Sequence, residues 1–198
     1  MKRILATAGA AAVVLALTSG AALAHPHHHH HGEAAGFLPG FLHPLTGLDH
    51  VLAMVAVGIW AALVGGRALV AWPAAFVVTM AVAALAGMAY GGIPVMEIGI
   101  ALSVVALGLA VALRVSAPLV LGGAVIGLFA IFHGYAHGAE LPAATGALGY
   151  IAGFALATAL LHAAGLALGF LIGRSPGIWA SRVAGAGVAA IGMVLLVA

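Results

Sequence analysis

The sequence predicts an all-α membrane protein: a six-transmembrane-helix bundle after a cleaved signal peptide, with both mature termini periplasmic. Three observations predict it. Of 198 residues, 65% are hydrophobic and 5% charged, which leaves too little polar surface to face water around a soluble core. Apolar stretches of about 20 residues, the length that spans a bilayer, recur at 44–64, 69–90, 94–113, 117–137, 147–172 and 178–197. The segments between them hold turn formers or arginines, such as Gly65-Gly66-Arg67 and Gly91-Gly92-Ile93-Pro94.

The amino-terminal element is expected to be removed. Lys2 and Arg3 precede an apolar run at 4–17 and the small-x-small site Ala22-Leu23-Ala24, the layout of a secretory signal; an uncleaved signal anchor is the alternative. The domain plan is therefore a signal peptide at 1–24, a histidine-rich periplasmic arm at 25–42 and a six-helix membrane domain at 43–198. An exported amino terminus puts the loops after spans one, three and five in the cytoplasm. These hold Arg67, Arg114 and Arg174, with Arg182 at the start of span six, whereas the outer loops hold Glu97 and Glu140 and no Lys or Arg. Positive charge inside supports the span count and the orientation together.

Composition also excludes function classes. Six basic and four acidic residues, a formal charge of +2, give no basic face for nucleic acid. With no cysteine there are no disulfides, thiolate metal sites or iron–sulfur clusters, so imidazole, carboxylate and backbone oxygen are the available metal ligands. The chain has no P-loop, no GxSxG and no dinucleotide fingerprint after a strand, and nothing points to ATP use. Glycines four apart, at 123 and 127, 149 and 153, 165 and 169, and 169 and 173, read as close helix packing.

Against this background two polar islands stand out, because an ionisable group inside a bilayer costs roughly 2.5 to 3.5 kcal/mol even on lenient scales. One runs from His43 through Thr46, Gly47 and Asp49 to His50; the other holds Phe132, His133, His137 and Glu140. The first opens span one and the second closes span four, so the topology brings both to the outer side. His133 and His137, one helical turn apart, can reach a single ion, and Glu140 extends their stripe if the helix persists past Gly138. Surface histidines at a helix end are the plainer reading. Asp49 reads either as a ligand or as the partner of Thr46 in a capping box. On an unbroken helix His43 and His50 would lie about 10.5 Å apart, so either Gly47 breaks the helix or the two serve successive ion positions.

Glu97, in the outer end of span three, and His162, deep in span five, are further candidates along a path. Glu97 reads equally as a solvated carboxylate, and His162 as a proton acceptor or a packing histidine bonded to a neighbouring helix. The tract His25, Pro26, His27, His28, His29, His30, His31 has a metal-binding composition and reads as a native capture arm, with a purification tag as the alternative.

The joint pattern His43-x5-Asp49-His50 with Phe132-His133-Gly-x-Ala-His137-Gly-x-Glu140 resembles the HupE/UreJ family of hydrogenase and urease accessory proteins, over essentially the whole chain. The five-residue spacing separates it from another nickel/cobalt permease family, whose similar motif has four intervening residues. The resemblance implies a secondary permease, not an enzyme, that imports nickel, with cobalt an option in some members, across the bacterial inner membrane. By matching positions, His43, Asp49, His50, His133, His137 and Glu140 would serve the ion. The implied partners are the divalent metal as substrate, the lipid bilayer and the maturation proteins of a hydrogenase or urease, with no prosthetic group and no nucleic acid. The length of the histidine tract departs from the family pattern. An intramembrane zinc-dependent hydrolase, which would use metal-bound water without an HExxH motif, and a haem-binding redox protein are the competing readings.

Overall fold

The computed structural model describes residues 33–141 and 146–198; the expected signal peptide 1–24 and the tract from His25 to His31 lie outside them. Every regular element among the described residues is a helix: α1 Glu33–Thr46, α2 Leu48–Val64, α3 Ala68–Tyr90, α4 Val95–Ala112, α5 Leu119–Ala139, α6 Ala147–Arg174 and α7 Trp179–Val197. Helices α3 to α7 are each long and apolar enough to cross a membrane, and α1 with α2, bent by 81° at a short break, supply a sixth span if taken together. The chain is a multi-pass membrane protein. Helix is the form that lets an open segment satisfy its own backbone in hydrocarbon. At the ends of α2 and α3 it stops on Gly65 and Gly91, with φ of 78° and 75°, each N–H still reaching back to Ala61 and Gly87.

The first span departs from the sequence reading. Helix begins at Glu33, within the stretch expected as an arm, and Pro39 and Pro44 both lie inside α1. Packing overrides the two missing donors: Gly36 and Gly40 lie so close to the backbone of Gly146 and Tyr150 that neither has room for a Cβ. The segment then breaks at Gly47, whose backbone is extended.

Three seams hold the bundle. Helices α3 and α5 run parallel, with Gly134 and Gly138 lying directly on the carbonyls of Met80 and Ala84, and Gly87 on that of Tyr135. Helices α2 and α6 also run parallel, joined where Gly58 meets the His162 carbonyl and Gly165 meets that of Val55; α1 lies along the start of α6. Helices α4 and α7 are antiparallel, with Gly108 against Gly185 and Ala189. Of the glycine pairs singled out in the sequence, Gly153, Gly165 and Gly169 are in tight seams, while Gly123 and Gly127 make ordinary contacts and Gly173 faces open space.

At the arginine-bearing end, two tryptophans tie the helices to the α4–α5 connection. Their rings lie 4.6 Å apart; Trp60 donates its indole N–H to the carbonyl of Val115 at 2.8 Å and Trp72 to that of Leu119 at 3.0 Å. From Trp72 a fully buried stripe of Phe76, Met80 and Ala84, spaced by four, runs up α3 toward the other end.

Candidate metal centre

The break at Gly47 builds the centre. Thr46 turns back to donate its hydroxyl to the His43 carbonyl at 2.8 Å, and no side chain caps α2, so the expected capping box does not form. Freed from that role, Asp49 Oδ1 accepts from the backbone N–H of His50 at 2.8 Å and from its Nδ1 at 2.7 Å. The bend folds α1 over α2 and brings the rings of His43 and His50 to 6.2 Å, well inside the roughly 10.5 Å that an unbroken helix would impose.

Helix α5 supplies the other half. Close seating against α3 buries His133 and His137 completely. Their rings meet the first pair: His50 lies 5.0 Å from His133 and 4.7 Å from His137, and His43 lies 4.8 Å from His137. His133 Nδ1 donates to the Phe129 carbonyl at 3.0 Å, and His137 stacks on Phe154 at 4.9 Å with the planes 10° apart. At the rim, His43 Nε2 meets Glu140 Oε2 at 2.9 Å, with side-chain exposures of 31% and 59%. The six side chains of the two sequence islands thus meet at one end of the bundle, graded from an exposed carboxylate to buried imidazoles.

What remains unpaired defines the chemistry. His50 Nε2, His133 Nε2 and both ring nitrogens of His137 are buried without a hydrogen-bond partner, at a cost of about 1–3 kcal/mol for each group left unsatisfied. Two imidazoles that bind one ion through nitrogens at about 2 Å hold their ring centres roughly 4.5–5 Å apart, which is the separation of three of these pairs. The nitrogens do not yet converge: among the described residues no group of three or more His, Asp or Glu side chains stands arranged to hold a metal ion. His43 is turned onto Glu140 and His50 Nδ1 onto Asp49, so a shared ion requires the rings to swing, and His43 to leave Glu140.

The two outlying candidates sit apart from this group. Glu97 lines an open pocket of about 370 Å³ together with Glu140, Tyr135 and Met96, so the two carboxylates share one vestibule. His162 is buried, with neither ring nitrogen partnered; it is not hydrogen-bonded to a neighbouring helix. Sequence reasoning missed the aromatic residues that shape the centre, Phe76, Tyr150 and Phe154. Their only signal was spacing: 150, 154, 158 and 162 lie on one face of α6, as 72, 76 and 80 do on α3.

No solved structure matches the chain. Protein HupE of Rhizobium leguminosarum bv. viciae is 47% identical over 165 residues, covering 83% of this chain and 86% of that protein. The family model described as HupE / UreJ protein matches residues 13–195, nearly the whole chain including every residue of the centre, and the chain therefore belongs to the HupE/UreJ family.

Proposed function

We propose that the protein is a secondary permease that imports divalent nickel, with cobalt as a second substrate, across the bacterial inner membrane to supply hydrogenase or urease maturation. The observation that carries this is the gathering of four imidazoles from two distant segments, with buried unpartnered nitrogens, in a bundle whose interior is otherwise mostly apolar. Nitrogen and oxygen donors suit nickel and cobalt, and a carrier needs a site that also releases its ion. Family membership supports the accessory role.

In this reading the signal at 1–24 is removed, the histidines from His25 to His31 gather the ion outside, and Glu97 and Glu140 draw it into the vestibule. Glu140 gives up His43 as the cation arrives, and the ion trades water for His43, His50, His133 and His137. Asp49 acts through His50: by accepting the hydrogen bond from Nδ1–H it leaves Nε2 to bind the ion, the usual part of a carboxylate behind a ligating histidine. Both mature termini face the periplasm, and the arginine-bearing turns face the cytoplasm.

The test is uptake of radioactive nickel by whole cells that express the intact protein, His50→Ala or His137→Ala at equal membrane abundance. Both variants are expected to lose nearly all uptake. Uptake equal to that of the intact protein in both would overturn the reading.

A further inference from the structure

Three of the four imidazoles in the centre are oriented by a polar partner: His43 by Glu140, His50 by Asp49 and His133 by the Phe129 carbonyl. His137 is the exception, with neither ring nitrogen partnered. A ligating histidine is ordinarily aimed by a group bonded to its second nitrogen. What His137 has instead is the ring of Phe154, 4.9 Å away with the planes 10° apart. Every other histidine ring contact among the described residues is tilted or edge-on, so this one flat contact falls on the one histidine that no hydrogen bond holds.

Phe154 can act as a stop because its own place is fixed. Gly153, beside it in α6, lies on the Phe37 carbonyl with no room for a Cβ, and the Phe154 ring is fully buried. The ring of Tyr150 braces it at 5.7 Å and 72°, and also lies 6.0 Å from His43, which in turn lies 4.8 Å from His137. The four rings close a circuit in which an aromatic pair from α6 backs one imidazole from α1 and one from α5. An imidazole binds a metal through a lone pair in the plane of its ring, so a ring held parallel to Phe154 accepts an ion only near that plane. The stack also commits neither nitrogen, leaving both edges of His137 able to bind.

We propose that Phe154, braced by Tyr150, is a positioning residue of the centre and sets its metal preference: the stack fixes the ring plane of His137 where a hydrogen bond is lacking, and so favours nickel over zinc. This rests on the nickel reading of the centre. Nickel takes nitrogen donors in directed, tetragonal arrangements, whereas zinc has no geometric preference from its filled d shell and follows its ligands. Phe154 offers no donor atom and acts only through His137, the fixed ring toward which the others swing.

Calorimetric titration of the purified full-length protein with nickel chloride and with zinc chloride, and the visible ligand-field bands of the cobalt-loaded protein, test this. Phe154→Leu keeps an apolar side chain and removes the flat face. Its nickel affinity should fall about 10–100-fold, the usual cost of losing a group that supports a ligand, with zinc affinity within about threefold of the unaltered protein and the cobalt bands shifted. Tyr150→Leu should change the same three readings in the same direction, and carries the test if Phe154→Leu loses its helical circular dichroism. Tyr150→Phe, which keeps the ring, should match the unaltered protein. Unchanged nickel affinity and cobalt bands in a folded leucine variant, nickel and zinc affinity lost in equal measure, or Tyr150→Phe as impaired as Tyr150→Leu would each overturn the positioning role. If the unaltered protein binds neither nickel nor cobalt, the nickel reading falls and this inference with it; binding by the unaltered protein with any of the three contrary results removes the positioning role alone.

Discussion

His137 is the most informative side chain in the centre. It contacts His43 and His50, stacks on Phe154 and leaves both nitrogens unpaired at full burial, so its place reflects something other than stability. A phenylalanine there can keep the stack while removing two orphaned ring nitrogens. His137→Phe is therefore expected to abolish nickel uptake while leaving the protein as stable or more stable, by up to about 1–3 kcal/mol, read as an unchanged or raised thermal midpoint in detergent. A large fall in that midpoint would mean that the histidine serves the fold. Identity and spacing made His43, Asp49, His50, His133, His137 and Glu140 legible as a group, because each breaks the apolar rule of its surroundings. Phe76 and Phe154 were not legible: an aromatic residue in an apolar helix breaks no rule, and only the packing shows what its ring touches.

The break between α1 and α2 shows how one backbone position organises four side chains. A Cβ on Gly47 would meet Asp49 Oδ1 and His50 Nδ1, each at 2.8 Å, and so would push apart the pair that fixes the His50 ring. Gly47→Ala is expected to leave the helical circular dichroism unchanged and to weaken nickel binding about 10–100-fold, as loss of a group supporting a ligand commonly does; a nickel titration reads it. Affinity within twofold of the unaltered protein would show that the ring is fixed elsewhere. Sequence had left the choice at Gly47 open, since local rules offered both a capped helix start and a break. The contact of α1 with α6 closes that choice, through Gly36 and Gly40 against Gly146 and Tyr150, and no local pattern encodes a partner a hundred residues away. For the same reason the start of α1 at Glu33 was hidden behind Pro39 and Pro44.

Five of the six spans were legible to within a few residues, because bilayer length and charge exclusion act on each helix separately. Their pairing was not, since the seams rest on glycines whose partners are set by the whole bundle. The proposed orientation rests on the arginines: Arg67, Arg114 and Arg174 stand at turn ends remote from the four-histidine cluster. Alkaline phosphatase joined at Leu141 or after Ala198 should be active in the periplasm, and fusions after Arg67, Arg114 or Arg174 inactive. The opposite pattern would invert the direction assigned to the carrier.

The seams carry one more consequence. His133 and His137 belong to the pair α3–α5, whereas His43 and His50 belong to the group α1–α2–α6, and within each body glycine-to-carbonyl contacts leave no slack. In the proposed carrier the four imidazoles are the jaws of a caliper. A slide of one body along the other by a single residue rise, about 1.5 Å, is comparable with a metal–nitrogen bond of about 2 Å, so the grip on the ion depends on how the two halves are offset. Beyond the swing of the rings themselves, holding and letting go then need no backbone rearrangement inside either half.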